Sequence, residues 1–371
     1  MDQRNDHKAS GMLPFVVERN AHPVDPADRT HLLKDPGFGR VFTDHMVMIR
    51  YSDTLGWHEA RVMPRGPLSV DPAMAVLHYA QEIFEGLKAY RLADGGMALF
   101  RPDANARRFQ DSARRLAMPE MPEDLFIESL KQMVRIDQDW FPDIDGGSLY
   151  LRPFMFASEV FLGVKPSAEY LYLVLASSAG GYFKSNAPAI SLWVSQDHIR
   201  AAPGGTGAAK CGGNYAASLV AQAEATRNGF DQVVFLDAVE RRWVEELGGM
   251  NLFFVFEDGS IQTPPLGGTI LPGITRDALL TLAREEGIVV REEPYAIDQW
   301  RADALSGRLT ESFACGTAAV VTPIGSVTGR EGAFTIGAGG PGQFTTRMRD
   351  RLVGIQRGLA PDPHNWVMRL D

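Results

Sequence analysis

Lysine is scarce in this chain: seven of its 37 basic residues are lysines, and none follows Lys210. Lys210 stands between Ala208-Ala209 and Cys211-Gly212-Gly213, small residues that let a ligand come close to its amine. An ammonium with little water and few counter-charges gives up its proton more readily and becomes a nucleophile able to form a Schiff base. Taken alone, such a lysine is more often an exposed loop cation. The pair Glu245-Glu246 precedes Leu247-Gly248-Gly249-Met250-Asn251 and an apolar strand. Either one carboxylate enters the interior, where it needs a cationic partner, or both end a solvated strand.

Three glycine-rich stretches compete as phosphate cradles. Gly204-Gly205-Thr206-Gly207-Ala208-Ala209-Lys210-Cys211 approximates a nucleotide-triphosphate loop, but Ala209 replaces the glycine before the lysine and Cys211 replaces the metal-binding hydroxyl. Gly337-Ala338-Gly339-Gly340-Pro341-Gly342 matches GxGxxG ahead of a helix, yet about thirty residues remain after it, too few for a dinucleotide fold. Leu271-Pro272-Gly273-Ile274-Thr275 leads straight into a helix whose free N–H groups and dipole would hold a phosphate. Gly316-Thr317-Ala318 ends an apolar run and offers a hydroxyl and backbone N–H groups for a second hold, unless it is an ordinary turn.

The elements that must position these groups follow from periodicity. With 371 residues and 45% apolar content the chain has the composition of a folded protein of two domains, or three. A formal charge of −9 argues against nucleic acid or an anionic membrane as partner. Two cysteines, Cys211 and Cys315, with no zinc-type spacing argue against a disulfide framework or a structural metal. No apolar stretch reaches a membrane span and the first residues lack a secretion signal, so a cytoplasmic protein is expected.

Residues 1–36 read as an N-terminal arm laid on the body, or as disorder. A hairpin is expected over 45–51 and 57–63, and a helix from Asp71-Pro72 through Ala75, Val76, Tyr79 and Ile83 to Gly86. Strands at 87–92 and 97–100, a helix capped by Asp103, a helix over 123–140 and strands at 149–157 and 170–177 complete a small N-terminal α/β domain, 37–178. The turn-rich residues 179–189 form the linker to a larger, β-rich C-terminal α/β domain, 190–371. It holds strands at 190–195, 232–237 and 251–257, a strand pair bracketing 312–321, and helices at 214–227, 275–286 and 342–358. The class is α+β, with the site in the cleft between the domains.

Seven ordered segments together resemble the branched-chain amino-acid aminotransferases of the fold-type IV group, which includes the D-amino-acid aminotransferases and uses pyridoxal 5'-phosphate. They are the stretch from Phe38-Gly39 to His45-Met46, that from Leu77-His78-Tyr79 to Ala89-Tyr90, and Leu149-Tyr150-Leu151-Arg152-Pro153. The others are Lys210-Cys211-Gly212-Gly213-Asn214-Tyr215, Glu246 to Asn251, Leu271 to Arg276, and Gly316-Thr317-Ala318. The resemblance implies that Lys210 is the Schiff-base lysine, that Glu246 faces the pyridine nitrogen and that Tyr215 bonds the ring's phenolate oxygen. It implies a phosphate grip by Arg108, Arg200, Ile274, Thr275 and Thr317. The implied substrate pocket is Phe38, Tyr79, Phe84, Tyr150, Arg152, Val164 and Tyr182, with Ala318 close to the cofactor.

The implied reaction is ping-pong transfer of the amino group of L-leucine, L-isoleucine or L-valine to 2-oxoglutarate, giving branched-chain 2-oxo acids and L-glutamate. An aromatic box suits branched aliphatic groups, while Tyr150 and Arg152 could take the glutamate side-chain carboxylate. Val164 would lie in a loop reaching the neighbouring subunit's site, which implies a homodimer. Where vertebrate relatives carry a redox-sensitive CxxC, this chain has Ala319 and Thr322, so no such thiol switch is expected. Gly249 stands where some relatives have a threonine, which leaves one hydrogen bond to the substrate carboxylate open. Two alternatives stand beside this reading: another fold-type IV enzyme, a D-amino-acid aminotransferase or an aminodeoxychorismate lyase, or a nucleotide-binding module on residues 204–211.

Overall fold

The strands Ser148–Ala157 and Glu169–Ala179 are buried along nearly their whole length, as apolar strands covered on both faces must be. They pair antiparallel from Ser148 opposite Ala179 to Ala157 opposite Tyr170, at the centre of a ten-stranded sheet of the described residues. The computed structural model describes residues 13–180 and 189–370. On one side of the central pair lie His45–Ser52, Gly56–Pro64 and Val16–Val17; on the other lie Leu87–Arg91, Met97–Phe100 and the late strand Val367–Arg369. Val41–Phe42 and Glu82–Phe84 attach to the central pair from outside this path.

The helices Pro102–Arg115 and Glu123–Ile136 cover one face, where Phe109, Phe126 and Leu130 pack with Leu149, Leu151 and Tyr172. Met46, Met48, Phe156, Leu171 and Leu173 form a separate cluster.

The second sheet has nine strands among the described residues, in the order Val244–Leu247, Gln232–Leu236, Ile190–Ser195, Val320–Gly329, Leu309–Gly316, Asn251–Phe256, Ile261–Thr263 and Val290–Glu292, with Gly332–Thr335 attached to Val320–Gly329. Ile190–Ser195 runs parallel to both neighbours. Helix Ile297–Ser306 buries Trp300 against Phe254 and Leu309, while Ile274–Glu285 and Gln343–Gln356 pack on Phe253 and Phe313. The sheets lock together by specific bonds: Phe84 N donates to Lys210 O, Lys210 N to Ser112 Oγ, and Thr317 Oγ1 to Gly86 O. These bonds set the site.

Two expectations need correction. The helix expected from 72 to 86 covers only Ala75–Tyr79 and stops at Ala80, whose φ is +48°. Asp71 bonds Ala73 N in a local turn instead of capping a long helix. Tertiary pairing overrides the helical spacing beyond it: Ile83 lies opposite Met155 in a strand and is fully buried there. The helix over 123–140 ends at Ile136, followed by a short 3-10 turn, Gln138–Trp140.

The arm docks by hydrogen bonds, Asn20 N to His45 Nε2 and Val24 N to Asp44 Oδ1, and carries the helix Pro26–Leu32. Short strands at 244–247, 261–263, 290–292, 332–335 and 367–369 carried no usable pattern. The last of these returns to the first sheet, so the chain's end does not stay with residues 190–366. Residues 181–188 of the expected linker lie outside the described residues.

Candidate active site

The cavity between the sheets is lined by Phe38, Phe84, Arg108, Tyr150, Arg152, Lys210, Tyr215, Glu246, Ile274, Thr275, Thr317 and Ala318, among others. Its enclosed volume is about 180 Å³, and it opens to solvent at its mouth. Lys210 sits just ahead of the helix Gly212–Arg227, and Tyr215 stands in that helix's first turns. Lys210 Nζ donates to the Tyr215 hydroxyl at 2.7 Å and lies 4.6 Å from the Phe84 ring centroid. Burial and the neighbouring Arg108 pull the Lys210 amine down to about 8, against the pull of Glu85. Burial and the charge of Glu246 raise the Tyr215 phenol to about 12, so it stays protonated.

Glu246 is one of four buried residues in the strand Val244–Leu247. Its Oε1 accepts from Leu271 N at 3.0 Å and its Oε2 from Asn251 Nδ2 at 3.2 Å, while Arg200 pairs with Oε1. Burial pushes its carboxyl up to about 7 against that arginine. The expected grip of Arg200 on a phosphate needs correction: its guanidinium is committed to Glu246 and the Gly207 carbonyl, and it does not line the cavity. It is the counterion that lets Glu246 be buried.

At the other end, the helix Ile274–Glu285 starts at Gly273 with no side-chain cap, so its first N–H groups have no intrahelical partner. Ile274 and Thr275 line the cavity there, opposite Thr317. The Thr317 hydroxyl donates to Gly86 O, which leaves its oxygen as an acceptor only. Arg108 reaches the cavity while held bidentate by Glu85, Nε at 2.7 Å and Nη2 at 2.8 Å, with Nη1 on Pro272 O. Unspent N–H groups remain on its terminal nitrogens.

The other glycine-rich stretches are closed. In 204–211 the N–H groups of Gly205, Ala208 and Ala209 are spent on backbone carbonyls, and the carbonyls of Gly204 and Gly205 face Arg115. A loop showing carbonyls outward cannot cradle a triphosphate, which removes the nucleotide-module alternative. The GxGxxG helix start is taken by Glu311, which accepts from Phe344 N and Thr345 N at 3.0 and 2.8 Å.

On the substrate side, Phe38 stacks edge-on to Tyr150 at 4.8 Å, and the Arg152 guanidinium lies over Phe84 and Tyr150 at 4.8 and 5.4 Å. Arg152 Nη2 donates to the Tyr150 hydroxyl, and its buried Nε has no partner among the described residues. A Cβ at Gly86 would stand 2.1 Å from the Tyr150 hydroxyl, so a larger residue there would displace the Tyr150 ring. Tyr79 is not part of this cavity: it is 40% exposed, and its hydroxyl donates to Leu162 O. Val164 is 88% exposed and also lies outside it. Tyr182 lies outside the described residues.

Sequence reasoning missed the groups that hold the named ones. Glu85 is fully buried, takes Asn105 Nδ2 at 2.7 Å besides Arg108, and is kept ionised by them against the penalty of burial. A carboxylate inside the apolar run Ile83-Phe84-Glu85-Gly86-Leu87 was the available sign of it. Asn251 and Ser112 had no such sign. Among the described residues no group of three or more His, Cys, Asp or Glu side chains is gathered for a metal, and no helix is long and apolar enough to cross a membrane.

The family model for amino-transferase class IV matches residues 82–327. The chain is 57% identical over 366 residues to the branched-chain-amino-acid aminotransferase of Mycolicibacterium smegmatis, covering 98% of this chain and 100% of that one. It is 56% identical over 355 residues to the probable branched-chain-amino-acid aminotransferase of Streptomyces coelicolor, covering 95% and 98%. Among solved structures, the branched-chain amino acid aminotransferase from Escherichia coli is similar with TM-score 0.71 and 31% identity, covering 88% and 99%. The enzyme of that name from Thermobaculum terrenum, solved in its PLP-form, is similar with TM-score 0.71 and 26% identity, covering 88% and 98%.

Proposed function

Because the chain belongs to the class IV aminotransferases, and among them to the branched-chain-amino-acid aminotransferases, we propose that the Lys210 cavity holds pyridoxal 5'-phosphate and serves amino-group transfer from L-leucine, L-isoleucine or L-valine to 2-oxoglutarate. The carrying observation is one lysine amine, held near 8 and bonded to Tyr215, between a buried carboxylate and an uncapped helix start. The donor set fits the cofactor. Glu246 suits a protonated ring nitrogen, Tyr215 a phenolic oxygen, and the Ile274–Glu285 start with Arg108 suits a phosphate.

When bound, the cofactor supplies the electron sink for the substrate's Cα–H bond. The Lys210 amine would carry the proton from the substrate's Cα to the cofactor carbon that keeps the transferred nitrogen, which a group titrating near working pH does best. Glu246, paired with Arg200, keeps the ring nitrogen protonated. Phe38, Phe84 and Tyr150 receive an aliphatic side chain at about 0.8 kcal/mol per buried CH₂. For glutamate and 2-oxoglutarate, the Arg152 guanidinium, which lines the cavity with its Nη2 on the Tyr150 hydroxyl, offers its charge and remaining terminal N–H groups to the distal carboxylate. A homodimer is supported by the exposed apolar side chains Leu77, Tyr79, Val160, Leu162 and Val164, which Tyr79 and the Met74–Val160 bridge bring together.

The test is a Lys210→Ala variant assayed with L-leucine and 2-oxoglutarate, alongside borohydride reduction of the wild-type holoenzyme. Turnover is lost with the fold retained, and the reduced label maps to Lys210. Full activity in the variant, or a label elsewhere, would sink the reading.

A further inference from the structure

Behind the wall formed by Ile274, Thr275 and Thr317 lies a second, small cavity that shares those three residues with the first. Lys88, Tyr90, Asn105 and Gln356 line its far side. Lys88 is 6% exposed, and its Nζ donates to the Ala318 carbonyl at 2.8 Å. Among the described residues no carboxylate lines the cavity beside that ammonium, and the charge acting on it is that of Arg357. A buried cation ordinarily has a paired anion, because desolvation is costly. Among the described residues no side chain fills that role for Lys88.

Lys88 also ties the sheets together. It lies opposite Tyr150 on the strand Ser148–Ala157, and with the Thr317 hydroxyl on Gly86 O it gives the 316–318 turn two attachments to residues 86–88. We propose that Lys88 is a positioning residue for the phosphate end of the site: it holds the turn through Ala318 O and backs the phosphate-facing wall with a positive charge for which the bound phosphate is the counter-charge.

This rests on the cofactor reading above. Burial, then Arg357, lowers the Lys88 amine to about 8 in the free protein. Arg357, next to the end of helix Gln343–Gln356, is the charged group facing it; Tyr90 on its own strand is kept neutral by burial, and Asn105 and Gln356 are uncharged. A phosphate dianion across the wall favours the ammonium form, so binding of the phosphate is strongest below pH 8 and weakens as the pH rises above it.

The experiment titrates apoprotein with pyridoxal 5'-phosphate and, separately, with pyridoxal, which can make the same link to Lys210 but has no phosphate. The ratio of the two affinities isolates the phosphate end. In wild type the ratio is largest near pH 7 and declines towards pH 10. In Lys88→Met it is lower at pH 7 by roughly tenfold, and it is flat with pH. The wild-type pH series needs no variant, and circular dichroism with thermal unfolding checks that the variant is folded. A wild-type ratio constant with pH, or a Lys88→Met ratio equal to wild type, overturns the proposal while leaving the cofactor reading intact. Failure of wild type to bind either compound removes both.

Discussion

Two helices of the second half begin alike and end up with opposite chemistry. Gly273 and Gly342 each cap a helix in extended backbone, with no side-chain cap of their own. At Gly342 the fold brings up Glu311, whose carboxylate takes the first N–H groups and the Thr345 hydroxyl; a Cβ on the glycine would stand 1.8 Å from its carboxyl carbon. At Gly273 the crowding neighbour is a neutral amide, Asn251, which gives its N–H to Glu246 and to Leu271 O. The acidic residue in that helix's first turn, Asp277, pairs outward with Arg101 at 2.7 Å. Both helix ends attract anions equally well. What differs is whether the protein supplies the anion itself, and a helix start becomes a binding site where it does not.

The largest expected effect comes from making the two starts the same. Thr275→Glu places a carboxylate at the open helix start, and affinity for pyridoxal 5'-phosphate falls by at least roughly 100-fold, since like charges there cost several kcal/mol. An absorbance titration of the apoprotein measures it, and wild-type affinity in that variant would break the comparison.

Next in size is the pH dependence at the amine end of the same cavity, which reacts where the helix start only holds. The neutral form of Lys210 is the nucleophile and its amine is lowered to about 8, so the rate at which apoprotein captures the cofactor rises about tenfold per pH unit up to pH 8 and then levels. A stopped-flow series between pH 6 and 9 reads this; a rate still climbing at pH 9 would show that burial does not lower the amine.

Glu311→Ala removes the built-in anion. It costs about 2 kcal/mol of stability, the value of charge-assisted hydrogen bonds left unmade, read by denaturant unfolding. Cofactor affinity stays unchanged. Smallest is Thr317→Val, which cuts one attachment of the 316–318 turn to Gly86 and leaves the open helix start in place. Cofactor affinity drops about threefold, in line with the loss of one neutral hydrogen bond of about 0.5 to 1 kcal/mol. A drop as large as that of Thr275→Glu would mean that the turn, not the helix, holds the phosphate.

Much of the fold was legible where burial imposes a period. The hairpin of His45–Ser52 and Gly56–Pro64, the central strands and the helices carrying Phe109 and Leu279 match the sequence pattern. Residues 80–86 carry a misleading pattern because Tyr79 and Ile83 sit at helical spacing, while the strand Ser148–Ala157 offers pairing that the local spacing does not encode. Short strands such as Ile261–Thr263 have too few residues to show any period.

In the site, local chemistry was readable in order along the chain: the one lysine set among small residues, the tyrosine five places on, the carboxylate before a buried strand, and the glycine ahead of a helix. Those are properties of residue type and neighbours, which covalent order carries. The counterions were decided by tertiary structure. That Arg200 serves Glu246, that Glu85 serves Arg108, that Glu311 closes one helix start, and that Lys88 reaches across to Ala318 with no carboxylate beside it among the described residues all depend on residues 23 to 230 positions apart meeting in space. Electrostatic pairing acts through space and desolvation, and neither is written in the spacing of the chain.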